Sequence, residues 1–286
     1  MSVQVTETTI GNVLTRTSGF LRDVTSHSLQ PYRGCTFGKA ACGVGCYVQH
    51  SLHILQGRTW GEFLEVRTNV ADSYRENFAR ESKWARKSRG SFSIFCSSAT
   101  DPFLPQEFRY GITRRLLEAM IDEPPDLLIL QTHSARCVEY LDLFRRLNER
   151  MELRMHVSIE TDREKLPGLP PHATSIAGRI ETCRQLREAG IRTIVTVSPL
   201  LPIAEPERFF EGLAEVADGV IIDHYIEGDG SSDGSRTART KLPQIIAAIE
   251  PRGVGLDYRD EIVEVARRYF PGGVGVSASG FAGVFS

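Results

Sequence analysis

The chain has 286 residues, 41% of them hydrophobic and 24% charged, which is enough apolar material for a sizeable core and excludes wholesale disorder. Thirty-four Lys and Arg against 36 Asp and Glu leave a formal charge of −2, so no global electrostatic footprint for nucleic acid exists, although a local basic patch is not excluded. No apolar run approaches the roughly 20 residues that span a bilayer, and "MSVQVTETTIGNVL" has no basic stretch leading into an apolar one; the expectation is a cytoplasmic protein with no membrane partner. In a reducing compartment the six cysteines are not a disulfide framework, and a tight cluster of them reads as a metal or redox site.

In chain order, the first feature is "PYRGCTFGKAACGVGCYVQH" (31–50), which holds Cys35, Cys42 and Cys46 with six and then three residues between them. Its interspersed glycines let backbone wrap closely around a bulky inorganic group. Three thiolates, rather than the usual four, would leave one iron of an iron–sulfur cluster open to a substrate. A competing arrangement uses His50: Cys42, Cys46 and His50 are spaced by four and, with Cys35, would make a Cys3His zinc module.

Beyond this loop, short β-branched runs alternate with segments of helical period. Strands are expected at 62–69, 91–98, 126–133, 154–161, 192–199 and 219–226, with helices near 72–88, 105–121, 136–150, 175–189 and 205–216. In the fourth helix Ile176, Ile180, Cys183, Leu186 and Ala189 share one face, and Gly190 is placed to end it. The alternation predicts a right-handed βα repeat in an α/β fold, with side chains at the C-terminal strand ends lining the site. A polar stretch, "EGDGSSDGSRTART", then precedes helices near 241–250 and 258–269 and a Gly-rich tail to which no function is assigned. No linker divides the chain, so one structural domain is expected: 1–60 as an N-terminal extension carrying the cysteines, and 61–286 as the βα body.

Several blocks carry a family likeness. "LQPYRGC" with the following cysteines and "CYVQ", "SSATDPFLPQE" (97–107), "VSIETD" (157–162), "PPHATSIAGRIETCRQLREAGI" (170–191) and "TVSPLLP" (196–202) together resemble the radical S-adenosylmethionine (radical SAM) enzymes of the spore photoproduct lyase-like kind. The cysteine spacing departs from that family's common three and two, and Gly45 stands where an aromatic residue usually precedes the last cysteine.

The resemblance implies a partial (β/α)6 TIM-like barrel of parallel strands with an N-terminal cluster-binding loop. It also implies a [4Fe-4S] cluster on Cys35, Cys42 and Cys46, S-adenosyl-L-methionine on the remaining iron, and an external one-electron reductant such as flavodoxin or ferredoxin. Tyr47, Ser97, Ser98, Thr100 and Asp101 become candidates for binding SAM, Asp101 as acceptor for its ammonium group. Ser158, Glu160 and Arg179 are candidates for its ribose or carboxylate, and His133 takes a position where relatives often carry lysine. The implied activity is reductive SAM cleavage and hydrogen abstraction from a substrate the sequence does not identify; repair of thymine dimers in DNA is the alternative, and DNA is not excluded as partner. Cys96 is a candidate hydrogen donor; Asp223, His224 and Tyr225 close the sixth strand near the substrate, with His224 a candidate acid or base, and Glu227 and Asp229 follow. Cys137 and Cys183 read as packing residues.

Overall fold

A computed structural model describes residues 3–286. Its strands are β1 (Gln4–Thr8), β2 (Thr15–Arg16), β3 (His27–Leu29), β4 (Tyr32–Arg33), β5 (Phe63–Arg67), β6 (Ser93–Cys96), β7 (Leu127–Thr132), β8 (Glu152–Ser158), β9 (Arg192–Val197), β10 (Gly219–Ile222) and β11 (Val274–Val276). The main sheet has the order β11-β10-β9-β8-β7-β6-β3-β2, and all its neighbours are parallel except β2, which is antiparallel to β3. Five of the six expected strands lie in it. The sixth, at 62–69, does not: β5 pairs instead with β1 and β4 in a separate three-stranded sheet, and the short β3 takes the place beside β6. The sequence signal for β5 is genuine strand propensity, but propensity does not say which edge a strand joins.

The helices follow the apolar period. Val70–Arg89 ends at Gly90 and Ile176–Glu188 is closed by Gly190, both glycines in the left-handed region. Ser175 caps the latter helix by accepting a hydrogen bond from the Gly178 N–H at 3.1 Å. The single helix expected at 105–121 is two, Glu107–Tyr110 and Ile112–Asp122, because Gly111 at φ +61° breaks the run. Leu141–Asn148, Pro206–Ala214, Leu242–Ile249 and Leu256–Tyr269 complete the cover.

Strand alternation sorts side chains onto two faces. Ile94, Cys96, Leu128, Leu130, Met155, Val157, Val195 and Val197 join the large core against the helices. Phe95, Ile129, Ile194 and Ile221 point the other way and close one end of the sheet's concavity, where Phe281 from the C-terminal segment joins them. The Gly-rich tail therefore forms an edge strand, a short helix and an apolar plug.

The cysteine loop is fastened to this body by a buried carboxylate. Glu107, fully buried, accepts hydrogen bonds from the hydroxyls of Tyr32 and Tyr140 (2.6 Å for Tyr140) and from the N–H groups of Thr113 (2.8 Å) and Arg114 (3.0 Å). It thus ties Tyr32 of β4, three residues before Cys35, to the two helices that follow β6. Replacing Glu107 by Ala strands these donors in the interior, and a loss of roughly 3–5 kcal/mol of unfolding free energy is expected from denaturant titration. Glu107→Gln, which keeps an acceptor, should lose less; equal behaviour of the two variants, both near wild type, would contradict the tie.

Candidate functional site

The loop after β4 begins with a sharp turn. Gly34 sits at φ +83°, and a Cβ there would lie 2.5 Å from the Phe63 carbonyl oxygen, so only glycine lets Cys35 follow β4 at this angle. The Thr100 hydroxyl donates to the Gly34 carbonyl at 2.7 Å and holds the turn against the segment after β6. Cys35 is followed by a 3-10 turn, Thr36–Lys39, and Cys42 lies in the one-turn helix Ala41–Val44. A Cβ on Gly43 would lie 2.2 Å from the Gly38 oxygen, so the two turns stack at a distance no other residue permits. The six-residue spacing between the first two cysteines is taken up by this fold-back.

Cys35, Cys42 and Cys46 all line one cavity of about 170 Å³, together with Ser97, Ser98, Thr100, Asp101, His133 and Tyr47. The three thiols form no disulfide, and Cys42 Sγ has only the distant Phe37 carbonyl at 3.8 Å. Burial pushes the thiols of Cys35 and Cys46 up to about 12 and about 11, and that of Cys42 well above its ordinary value. Unassisted, they stay protonated at neutral pH; a bound cationic group would displace those protons. Three thiols around one hollow, that of Cys35 buried and those of Cys42 and Cys46 half-buried, fit an iron–sulfur cluster held from one side. Among the described residues no three His, Cys, Asp or Glu side chains gather around one metal-ion position, which a zinc module needs and a cluster, whose thiolates bind separate irons, does not. Cys42 and His50 also fall in separate turns, Ala41–Val44 and Tyr47–His50, rather than on one helix face.

The wall opposite the cysteines is built from strand ends. Gln30, which the motif reading did not single out, is its organiser: its carbonyl accepts from the Ser97 hydroxyl and the Ala99 N–H (3.3 Å), while its amide donates to Ser98 Oγ at 3.0 Å. Tyr47 donates its hydroxyl to the Ser98 carbonyl at 2.7 Å, linking the residue after Cys46 to the same segment. Asp101 is largely committed. Its carboxylate accepts from the Phe103 N–H (2.8 Å), the Thr132 hydroxyl (2.9 Å) and the His133 N–H (2.7 Å), leaving little capacity for a ligand's ammonium group.

Behind the wall lies a buried charge chain. Arg179 Nη1 stands 2.9 Å from Glu160 Oε2 and also donates to the Ser158 carbonyl, and Glu160 Oε1 is 2.7 Å from His133 Nε2. Neither Ser158, whose hydroxyl pairs with that of Thr196 at 3.0 Å, nor Arg179 lines the cavity; the expected guanidinium fork toward a ligand carboxylate is turned onto Glu160. His133 does line it. Burial opposes its protonation, but Glu160 and then Asp101 outweigh that and raise it to about 9, so at neutral pH it presents an imidazolium. Glu160 is held well below the usual carboxylate range: burial works against this, and Arg179 and His133 override it.

Two further candidates lie elsewhere. Cys96 is fully buried on the helix-facing side of β6, away from the cavity that Ser97 lines, and burial raises its thiol far above the ordinary value. His224 is also fully buried. Its Nε2 meets the Gly253 carbonyl at 3.0 Å and its Nδ1 accepts from the Ile226 N–H at 3.1 Å, so both ring nitrogens serve the backbone. Its neighbour Asp223 faces the cavity instead. It receives the Ser198 hydroxyl on Oδ2 at 3.0 Å, leaves Oδ1 unpartnered, and is raised by burial to about 7.

Asp223, Ser198, Gln131, Ser97, Ser98 and Tyr47 also line a second hollow of about 320 Å³, which reaches to Phe95 and Phe281 and so shares a wall with the first. The polar stretch after β10 contributes Arg236 to this inner chamber, held near the turn in which Asp229 accepts from the Thr237 N–H at 2.6 Å. The six-strand pattern points to strand ends in general; it carries no signal that distinguishes Asp223 from His224 beyond the alternation of faces.

No protein-family model matches the chain. It is 29% identical over 203 residues to a radical SAM Nalpha-GlyT isomerase of Pseudomonas phage M6, a match covering 69% of this chain and 39% of that protein. It is 30% identical over 159 residues to an uncharacterized protein of Acidianus two-tailed virus, covering 55% of this chain and 48% of that one. The chain thus spans less than half the length of either relative. An uncharacterized protein of Methanocaldococcus jannaschii is 22% identical over 241 residues, 84% of this chain and 85% of that one. A mutant of spore photoproduct lyase with bound AdoMet and dinucleoside spore photoproduct superposes with a TM-score of 0.62 at 16% identity, over 96% of this chain and 81% of that one. The fold is that of spore photoproduct lyase, and the resemblance to radical SAM proteins read from the cysteine loop and its companion blocks holds.

The charge chain gives a pH signature. A His raised from about 6.5 to about 9 contributes stability that is complete below the lower value and is lost as pH rises through the upper one, on the order of 3 kcal/mol. Denaturant unfolding of the wild type and His133→Gln should therefore differ most below pH 6.5 and converge above pH 9. A difference independent of pH would contradict the imidazolium assignment.

Proposed function

We propose, for a chain that shares the fold of spore photoproduct lyase and resembles the radical SAM proteins in sequence, that it is a radical SAM enzyme acting on a substrate held in the inner chamber. The observation that carries the reading is the shared cavity: three thiols and the C-terminal strand ends face one hollow, and the chamber beside it shares part of its wall. When bound, a [4Fe-4S] cluster and S-adenosylmethionine supply reductive sulfonium cleavage to a 5'-deoxyadenosyl radical, with the electron coming from an external donor such as flavodoxin or ferredoxin.

The chain's residues divide the remaining work. Cys35, Cys42 and Cys46 hold the cluster. The Ser97–Thr100 segment, braced by Gln30 and Tyr47, forms the polar wall for the SAM methionine group, and His133 rather than Arg179 offers the cation suited to its carboxylate. Arg179 acts through Glu160, keeping His133 charged and oriented. Phe37, Trp60 and Tyr225 line the hollow and limit the water that reaches it. In the chamber, Asp223 and Arg236 present groups of opposite character above the apolar floor of Phe95 and Phe281, which suits a substrate with both polar and apolar faces.

Lyase-type repair of thymine dimers is the reading less favoured. It rests on the neighbour's dinucleoside ligand, and Cys96, the cysteine expected as hydrogen donor, faces the helices instead of the chamber.

The test is an anaerobic assay with dithionite as reductant, in which the protein is expected to release 5'-deoxyadenosine from SAM. Single Ala replacements of Cys35, Cys42 and Cys46 should each lower the yield at least ~100-fold, since each removes one of three anchors. Product insensitive to all three would overturn the ligand set. Asp223→Asn, in the wall of both hollows, should lower substrate-coupled turnover more than uncoupled SAM cleavage.

A further inference from the structure

The outer face behind the cysteine loop carries a hollow of about 420 Å³ lined by Arg109, Arg114, Arg115 and Arg136 with Phe108 and Tyr140. All four arginines are exposed. Arg136 pairs with Glu139 at 2.6 Å, while among the described residues no carboxylate lies within ion-pair distance of the other three. Aromatic rings set the orientation of three of them: the guanidinium of Arg136 lies 3.5 Å over Phe108, that of Arg114 4.3 Å over Tyr140 and that of Arg109 5.4 Å over Tyr110. Stacking occupies the face of a guanidinium and leaves its in-plane N–H groups; Arg136 gives Nε and Nη2 to Glu139 and Arg115 gives Nη1 to the Tyr110 carbonyl at 2.9 Å, so Arg109, Arg114 and the rest of Arg115 are what the patch offers to carboxylates or phosphates.

Its place in the fold narrows the choice. Gln106 accepts from the Thr36 hydroxyl, next to Cys35, at 2.9 Å, and Glu107 binds both Tyr32 before the cysteine loop and Tyr140 of the hollow. The patch is therefore fastened to the back of the cysteine loop. None of its arginines lines the cysteine cavity or the inner chamber, so a molecule seated there does not obstruct either.

We propose that this arginine face is the docking surface for an acidic one-electron carrier protein that reduces the cluster from behind. The inference rests on the reading above that Cys35, Cys42 and Cys46 hold a reducible cluster. The transfer balances simply: one electron leaves the carrier, which becomes one unit more oxidised, and one enters the cluster, with no bond made or broken. The chain's net charge of −2 provides no general attraction for an acidic partner, so a local cluster of unpaired cations is what orients the encounter. A nucleic-acid backbone has the same charge, but as a substrate it would have to enter the chamber, which these arginines do not line.

The experiment compares the full chain with the variant Arg109→Gln/Arg114→Gln/Arg115→Gln. Binding of oxidised flavodoxin to unloaded protein, followed by fluorescence anisotropy at low ionic strength, should weaken roughly 10-fold or more in the variant, and wild-type binding should fall with added salt. In reconstituted protein, reduction of the cluster by reduced flavodoxin should slow by a similar factor, while dithionite-driven release of 5'-deoxyadenosine stays at the wild-type level. Unchanged flavodoxin binding and reduction overturn the docking surface. Loss of affinity for a labelled oligodeoxynucleotide with flavodoxin binding intact overturns it in favour of nucleic acid. Absence of dithionite-driven cleavage in the wild type indicts the functional reading instead, and the anisotropy comparison still decides the docking claim.

Discussion

The structure depends on a loop of glycines and cysteines being held at one position over the strand ends, and Glu107 is the group that fixes it there. One buried carboxylate takes donors from β4, from the start of the helix Ile112–Asp122 and from the segment after β7, so two of its four bonds join parts of the chain distant in sequence. A buried carboxyl group of this kind is costly unless its acceptor sites are used. Thr100 on the Gly34 carbonyl, Gln30 on Ser97 and Ser98, and Tyr47 on the Ser98 carbonyl repeat the same connection with neutral groups. The cysteines are therefore presented by a framework rather than by a free loop.

Within the sheet, side-chain alternation separates stability from chemistry. The residues facing the helices are nearly all apolar, and Cys96 is one of them. Those facing the concavity are apolar at one end, around Phe281, and polar at the other, where Gln131, His133, Ser198 and Asp223 meet the cysteine cavity. Arg179, Glu160 and His133 extend that polarity outward as a line of alternating charge, ending in the one imidazole that faces the hollow. A guanidinium two groups away from the cavity thus acts on it through its partners.

Much of this was legible in the amino-acid sequence because it is encoded locally. The cysteine spacing, the β-branched runs and the Ile176-to-Ala189 face each carry their own period, and the block at 97–107 contains both Thr100 and Glu107. What was not legible depends on long-range pairing. Nothing local tells β5 to leave the main sheet for β1, or the three-residue β3 to join it. Burial also redirects polar residues. Arg179 turns to Glu160, Asp101 saturates itself on nearby donors, and His224 gives both nitrogens to backbone while Asp223 beside it keeps an unpartnered oxygen. Residue type alone suggests the opposite assignment for the last pair.

The most direct measurement is Mössbauer spectroscopy of the anaerobically reconstituted protein with and without S-adenosylmethionine. Three protein thiolates on a four-iron cluster predict about four irons per chain, one of which alone changes its spectrum when the cosubstrate is added. Stoichiometric zinc in place of iron, or a cluster whose irons all remain unaffected, would contradict the account.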